Sequence, residues 1–183
     1  METIKIAFMG VSGSGKDYIV DVAKKNFEFT RFSFSDQLKK LGAKIYPWLE
    51  SDYPPEEKEK SLNIKIPETG EVITKSPREI WLELNKMRNV EDNLFVRMLA
   101  HEIWLTQVDR LVISDIRTQN EYDWCVENDF TIIAIKGDAK HPENSFDDWV
   151  RDMIDMGEYD FEFTNEFDGH EKIETFFTSC FDL

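Results

Sequence analysis

The sequence predicts an α/β sandwich with a mainly parallel sheet, and three observations support this fold class. Segments with strand patterns alternate with segments at helical spacing throughout the 183 residues. Two strand segments, 110–115 (RLVISD) and Thr131–Lys136 (TIIAIK), are almost continuously apolar, as strands covered on both faces of a parallel sheet are. A glycine-rich turn joins the first strand to a helix. The length fits a single domain covering 1–183.

The amino-terminal elements are predicted from the spacing of apolar residues. The strand Ile4–Met9 is a short apolar run with β-branched residues, and residues 17–26 continue at helical spacing. Residues 27–34 (FEFTRFSF) alternate phenylalanine with polar residues, which is typical of a strand. Ser35 or Asp36 then stands where the N-cap of the next helix is expected.

Residues 46–75 are the least regular stretch, and we predict an excursion from the core. The stretch is rich in proline, contains a run of charges, and includes a turn sequence at 68–71 that indicates a hairpin. The next segment, 76–79 (SPRE), combines an N-cap serine, a proline in the first turn and a glutamate three residues after the serine. This combination strongly predicts a helix start, and a second helix is predicted at 92–107.

Strand and helix patterns continue to alternate in the carboxyl-terminal half. After the strand at 110–115, the predicted order is a helix through 121–127, the strand Thr131–Lys136, a helix at 147–156, a short strand at 159–164 and a closing helix at 169–181. Residues 137–158, between the last two strands, are the candidate for a lid.

The composition limits the classes of function. The formal net charge is −15, and so acidic a surface repels phosphate backbones and anionic lipids, so we expect neither nucleic-acid nor membrane partners. The two cysteines, Cys125 and Cys180, form neither a disulfide framework nor a zinc motif and suit a reducing compartment. There is no apolar run of about 20 residues and no signal-peptide pattern after Met1. A cytoplasmic location is therefore expected.

The most specific motif is the segment 10–17 (GVSGSGKD). It matches the phosphate-binding pattern G-x-x-x-x-G-K, and it lies between a strand and a helix as that pattern requires. Its glycines allow successive backbone N–H groups to turn inward on phosphate oxygens, while the lysine and the positive end of the helix add charge. A glycine-rich turn without a ligand is the alternative. The predicted nucleotide-binding residues are Gly10, Ser12, Gly13, Ser14, Gly15, Lys16 and Asp17.

Asp17 stands where this pattern normally has a serine or threonine that ligates Mg²⁺. A carboxylate is a good ligand for a hard cation, so we interpret Asp17 as a Mg²⁺ ligand, either direct or through water. The alternative is an acid that is simply favoured in the first turn of a helix.

Phosphate loops of this kind occur in kinases, GTPases, ATPases and passive nucleotide binders. A GTPase would need Asn-Lys-x-Asp, but 85–88 (NKMR) lies in a predicted helix and lacks the acid, and 165–168 (NEFD) lacks the lysine. The small size and the two excursions, 46–75 and 137–158, favour a kinase whose acceptor pocket and lid close over the phosphates.

Five motifs occur in a fixed order: GVSGSGKD at 10–17, SFSDQLK at 33–39, SPRE at 76–79, ISDIR at 113–117 with NE at 120–121, and DFEFTN at 160–165. Their order and spacing resemble the deoxynucleoside monophosphate kinase family of tailed bacteriophages. Dephospho-CoA kinase and the P-loop phosphomevalonate kinases have a similar layout. The resemblance implies a five-stranded, mainly parallel sheet of the P-loop kinase type, ATP with Mg²⁺ as the donor, and a deoxynucleoside monophosphate as the acceptor.

The resemblance also implies which residues bind the acceptor. Asp36 and Lys39 follow the second strand, at the sheet edge where ligands bind, and are implied to hold the nucleotide or its phosphate. Arg78 lies in the first turn of a helix, where a cation opposes the helix dipole unless an anion is close, and is implied to bind the acceptor phosphate. An N-cap Asp36 and a surface Lys39 are the alternatives.

Further candidates follow the third strand of the predicted sheet. Asp115 ends that strand and is expected to hold Mg²⁺ through water or to fix a neighbouring side chain. Arg117 could bind the acceptor phosphate bidentately, and Glu121 is a weaker substrate-binding candidate. A structural ion pair of Arg117 with Asp115 or with Glu121 is the alternative.

The lid candidate and the last strand supply two more site residues. Arg151 is the best source of positive charge for the transferred phosphoryl group, with polar residues at 140–144 beside it in sequence; a surface arginine on a helix is the alternative. Asn165, after the last strand, is expected to line the adenine side.

These parts predict catalysis by positioning and charge neutralisation, because the acceptor phosphate is already anionic and needs no general base. Two other functions remain open: a kinase of another phosphorylated metabolite, of the dephospho-CoA or phosphomevalonate type, and an ATP-binding protein without turnover. The expected partners are small nucleotides, with the chain a monomer or a homodimer.

Overall fold

The computed structural model describes residues 3–54, 56–137, 145–181 and 183. In chain order, the elements are β1 Ile4–Met9, α1 Lys16–Phe27, β2 Thr30–Phe32, α2 Phe34–Ile45, β3 Leu62–Lys65, β4 Val72–Lys75, α3 Pro77–Asn85, a 3-10 helix Lys86–Asn89, α4 Leu94–Thr106, β5 Arg110–Ile116, α5 Gln119–Glu127, β6 Thr131–Lys136, α6 Ser145–Met156, β7 Phe161–Thr164 and α7 Glu171–Phe181. No helix among the described residues is both long and apolar enough to span a bilayer.

Five parallel strands form the main sheet, in the order β2-β5-β1-β6-β7. The strand β1 lies in the middle, with Ile6 opposite Val112 of β5 on one side and opposite Thr131 of β6 on the other. The predicted α/β fold with a five-stranded parallel sheet is confirmed. Because β1 is central, the loop that follows it leaves the sheet at the carboxyl edge, where ligands of such sheets bind.

One face of the sheet is covered by α1 and α7. Ile6 and Phe8 of β1 pack there in a cluster with apolar residues of both helices. The ring of Phe177 lies at the centre of five other phenylalanines, Phe8, Phe27, Phe29, Phe176 and Phe181, with centroid distances from 5.3 to 6.4 Å. Alternate residues of β1, Ala7 and Met9, are also fully buried, so the sheet is covered on both faces.

The chain divides into two compact units, Met1–Phe34 with Leu99–Leu183, and Ser35–Met98. The second unit contains the antiparallel hairpin of β3 and β4, which confirms the turn predicted at 68–71 within the excursion. It also contains the predicted capping box: Ser76 Oγ accepts from the Glu79 N–H, and the Glu79 carboxylate accepts from the Ser76 N–H. That residues 1–183 act as one domain stays a prediction.

The start of α2 differs from the prediction. The helix begins at Phe34, so Ser35 and Asp36 lie in its first turn and neither is the N-cap. The Phe34 N–H donates to Asp115 Oδ1 at 2.9 Å, and Ser33 Oγ donates to the other carboxylate oxygen at 2.8 Å. A carboxylate from β5 therefore satisfies an amide at the start of this helix, and local sequence cannot reveal a partner 81 residues away.

Two other boundaries also moved. Only Thr30–Phe32 of the strand predicted at 27–34 pairs with β5, because α1 extends to Phe27 and a left-handed residue, Glu28, ends it. The helix α3 ends at Asn85 and a 3-10 helix follows, so Met87 lies beyond α3 and is 38% exposed.

Candidate functional site

The loop between β1 and α1 has a backbone that depends on its glycines. Gly13 and Gly15 adopt left-handed conformations, with φ of 82° and 84°. A Cβ on Gly15 would lie 2.1 Å from Asn165 Nδ2, and a Cβ on Gly10 would lie 2.8 Å from the carbonyl oxygen of Ile135. Only glycine satisfies both the backbone angle and the close packing at position 15.

Several amides of this loop lack an acceptor. Within the described part of the chain, no atom accepts a hydrogen bond from the N–H of Gly13, Gly15, Lys16 or Asp17. Gly15 is the N-cap of α1 and has no side chain to cap it. Unpaired amides at a helix start, together with the positive end of the helix dipole, favour an anion.

Lys16 places an ammonium group inside the loop. Its Nζ donates to the carbonyl oxygens of Gly10 at 2.6 Å and Val11 at 2.7 Å, and Ser14 Oγ lies further away at 3.4 Å. The residue is 7% exposed. Burial, followed by the positive charge of Arg117, lowers the pKa of Lys16 to about 8, although nearby carboxylates oppose the shift. A buried cation is stabilised further when an anion binds beside it.

Asp17 follows at the surface in the first turn of α1. Its negative charge raises the pKa of Lys16, against the larger effect of burial. The described residues contain no group of three or more acidic, histidine or cysteine side chains suited to a metal ion. A single carboxylate at this position still fits Mg²⁺, which proteins hold through one or two carboxylates, water and substrate phosphates.

Arg117 lies at the rim of the loop. Its Nη1 is 3.5 Å from Ser12 Oγ and 3.9 Å from Asp147 Oδ1, and the side chain is 32% exposed. Glu121, which is almost fully buried, accepts from the backbone N–H of Arg117 at 2.8 Å. The carboxylate therefore holds the turn after β5, whereas the guanidinium of Arg117 extends toward the loop.

Asp115 also holds a backbone segment in place. Its two carboxylate oxygens accept hydrogen bonds from Ser33 Oγ and from the Phe34 N–H, at the start of α2. It is 8% exposed. The carboxylate therefore fixes Ser33 and the Phe34 amide in place, and its role at the site stays a prediction.

Asn165 connects the loop to the segment after β7. Its Nδ2 donates to the carbonyl oxygen of Ser14 at 3.0 Å, and its Oδ1 accepts from the Phe167 N–H at 3.0 Å. Phe167 has a positive φ of 58° and is 43% exposed, and its ring packs close to Gly15 and Gly137. An exposed aromatic ring beside the loop offers a flat surface for stacking.

Two residues near the loop were not among the sequence candidates. Phe167 could have been noticed, because it is an aromatic residue two positions after Asn165. Asp147 could not, since its contact with Ser12 joins positions 135 residues apart. Its Oδ1 accepts from the Ser12 N–H at 2.9 Å and from Ser12 Oγ at 3.2 Å.

Of the lid candidates, Arg151 lies on α6, with Nη1 3.6 Å from Asp148 Oδ1. The polar residues at 140–144 lie outside the described residues.

The acceptor candidates lie in the second unit. Lys39 Nζ is 3.1 Å from Asp36 Oδ1 and 5.8 Å from the centroid of the Trp81 ring. Arg78 pairs with Glu59 at 3.0 Å, and both side chains are more than half exposed.

No protein-family model matches the sequence, and no curated protein matches it. Solved structures do match the fold. TT1252 from Thermus thermophilus superimposes with a TM-score of 0.54 at 11% identity, covering 98% of this chain and 96% of that one. The likeness is one of fold. An unliganded sugar kinase from Janibacter sp. HTCC2649 gives a TM-score of 0.43 at 13% identity, with 98% and 95% coverage, which is too low to support an inference.

Proposed function

We propose that this protein is a kinase that transfers the γ-phosphoryl group of ATP to a deoxynucleoside monophosphate. The observation that carries the proposal is the loop after β1, where four backbone amides have no acceptor among the described residues and Lys16 contributes a buried ammonium at the start of a helix. Such a nest binds a polyphosphate by charge and by directed N–H groups.

In this proposal, the loop residues Gly10 to Asp17 bind the β- and γ-phosphates. Lys16 is already held by two carbonyl oxygens, so little further ordering of its side chain is needed when phosphate arrives. Mg²⁺, held by Asp17 directly or through water, would neutralise charge on the phosphates. Asn165 holds the loop through the Ser14 carbonyl oxygen, and the adjacent Phe167 ring is assigned to the adenine.

Arg117 is assigned to the phosphoryl group or to the acceptor phosphate. Its side-chain contacts with Ser12 and Asp147, at 3.5 and 3.9 Å, are long for a guanidinium and would be exchanged for stronger bidentate bonds to phosphate. Arg151 is assigned to the transferred group. Its pair with the exposed Asp148 is a surface pair of i,i+3 type and costs little to break.

Asp36, Lys39 and Arg78 are assigned to the acceptor. Lys39 and Arg78 supply positive charge, and the Arg78–Glu59 pair is exposed enough to be given up for a phosphate. The acceptor phosphate is anionic near neutral pH, so the reaction requires positioning and charge neutralisation rather than a general base.

The test is a coupled ADP-release assay with Mg²⁺–ATP over a panel of acceptors. Turnover that depends on one or more of the four deoxynucleoside monophosphates supports the proposal. Turnover only with dephospho-CoA or phosphomevalonate would reassign the acceptor. ATP binding with no acceptor-dependent ADP release would instead indicate a nucleotide-binding protein without kinase activity.

A further inference from the structure

Asp147 is a buried carboxylate beside the phosphate loop. It lies in the first turn of α6 and is 1% exposed. Burying a carboxylate is unfavourable unless donors compensate, and a structural role alone could be filled by an apolar side chain. The hydrogen-bond partners of Asp147 therefore indicate its role.

Two of its donors come from the loop itself. Asp147 Oδ1 accepts from both the backbone N–H and the hydroxyl of Ser12, at 2.9 and 3.2 Å. Hydrogen bonds to an ionised acceptor are about twice as strong as neutral ones, so this carboxylate fixes both the backbone and the side chain of Ser12.

Arg117 completes a triangle with these two residues. Its Nη1 lies 3.9 Å from Asp147 Oδ1 and 3.5 Å from Ser12 Oγ. The three residues come from the loop after β1, the turn after β5 and the helix α6. The carboxylate attracts the guanidinium by charge and holds the hydroxyl by hydrogen bonds, which keeps both groups together at the rim of the loop.

We infer that Asp147 is a positioning residue for phosphoryl transfer, acting through Arg117 and Ser12 without touching substrate. The inference rests on the proposed kinase function. The negative charge of Asp147 opposes the binding of an anionic nucleotide, so its benefit must lie in orienting Arg117 for the reaction.

The variant Asp147→Asn separates charge from hydrogen bonding. An asparagine can still accept from Ser12 through Oδ1 but no longer attracts the guanidinium. We expect kcat to fall about 10- to 100-fold, as for loss of one interaction with a charged group. The KM for ATP should stay the same or fall, because a charge that repels phosphate has been removed. Asp152→Asn, the same change at an exposed position of α6, is the matched control and should leave kcat unchanged.

A double-mutant cycle with Arg117→Met decides whether Asp147 acts through Arg117. If it does, adding Asp147→Asn to Arg117→Met should change kcat by less than about twofold. If the fold-changes in kcat of the two single variants multiply in the double variant, the inference is overturned. It is also overturned if the Asp147→Asn enzyme keeps the wild-type kcat. Both results leave the kinase proposal intact. A wild-type protein without acceptor-dependent turnover would overturn both.

Ser12→Ala covers the case in which Asp147→Asn does not fold, as judged by circular dichroism. It removes the hydroxyl that bridges the carboxylate and the guanidinium but keeps the backbone N–H. We expect a several-fold lower kcat that is likewise non-additive with Arg117→Met. Additive effects in this second cycle would also contradict the inference.

Discussion

At the scale of single residues, Lys16 is both charged and buried. Two carbonyl oxygens of its own loop bind the ammonium, yet burial still lowers its pKa to about 8. The residue is therefore held in an environment that a bound polyphosphate would improve, which is the arrangement expected of a binding group rather than of a purely structural one.

Replacing Lys16 by methionine keeps most of the aliphatic side chain and removes the charge. We expect the Lys16→Met protein to lose at least about 100-fold in kcat, the typical cost of one preorganised group that stabilises transition-state charge. The ADP-release assay measures this. Lys25→Met, at an exposed position of the same helix, is the control, and retained activity in Lys16→Met would contradict the phosphate-loop assignment.

Nucleotide affinity should depend on pH through the same group. Arg117 opposes the charged form of Lys16, while Asp17, Asp147 and Asp115 favour it. Because the protonated form binds phosphate, raising the pH above about 8 removes the proton from the ligand-free protein. The affinity for ATP should then fall, by at most about tenfold per pH unit for one linked proton.

Calorimetric titration with Mg²⁺–ATP at pH values between about 7 and about 9.5 tests this dependence. This range brackets the pKa of Lys16, which is about 8. Lys16→Arg is the control, since arginine stays protonated and its profile should be flat over the same window. A flat profile in the wild type would show that Lys16 does not set the affinity.

At the scale of elements, the first amides of two helices are satisfied by acceptors of different origin. The cap of α3 is local: Ser76 and Glu79 satisfy each other's amides within four residues. The start of α2 is satisfied by Asp115 from a distant strand. The first kind of boundary was predicted correctly from sequence, and the second was not, because its partner is set by the packing of the sheet.

The capping box should have a measurable effect on stability. Ser76→Ala removes the side-chain acceptor for the Glu79 N–H, and we expect the free energy of unfolding to fall by about 1 kcal/mol. Chemical denaturation followed by circular dichroism measures it, with Ser61→Ala at an exposed position as the control. Equal stabilities of the two variants would contradict the assigned cap.

The contribution of this capping box to stability should depend on pH. The backbone and side-chain bonds from Ser76 lower the pKa of Glu79 below its usual value. A lowered folded-state pKa stabilises the fold above the unfolded pKa, and this contribution is lost as the pH falls through the folded value.

At the scale of the whole molecule, the core beneath the loop is unusually aromatic. Phe177 is fully buried among five other phenylalanine rings that join α7 to β1 and α1. Phe177→Ala should lower the free energy of unfolding by about 3–5 kcal/mol, the usual cost of such a truncation. Phe161→Ala, at a residue 37% exposed, should cost clearly less. Similar losses in denaturation experiments would contradict this description of the core.

The acidic surface should affect the rate of nucleotide binding. A net charge of −15 repels ATP at long range, whatever the loop contributes at short range under the proposed function. Raising the ionic strength from about 0.01 M to about 0.15 M shortens the screening length from about 30 Å to about 8 Å. The association rate constant of a fluorescent ATP analogue, measured by stopped flow, should therefore rise. A decrease in this rate constant would mean that positive charge near the loop, rather than the net charge, controls the association of the nucleotide.

The sequence by itself determined the fold class, the order of the elements and the glycine-rich turn after β1, because each depends on patterns within a short segment. Glycine spacing, apolar runs and the capping box are of this kind. Only the tertiary structure decided which side chains meet the loop. Asp147 and Asn165 reach it from positions more than 130 residues away, and the parallel sheet, which brings the ends of distant strands to one edge, makes these contacts possible.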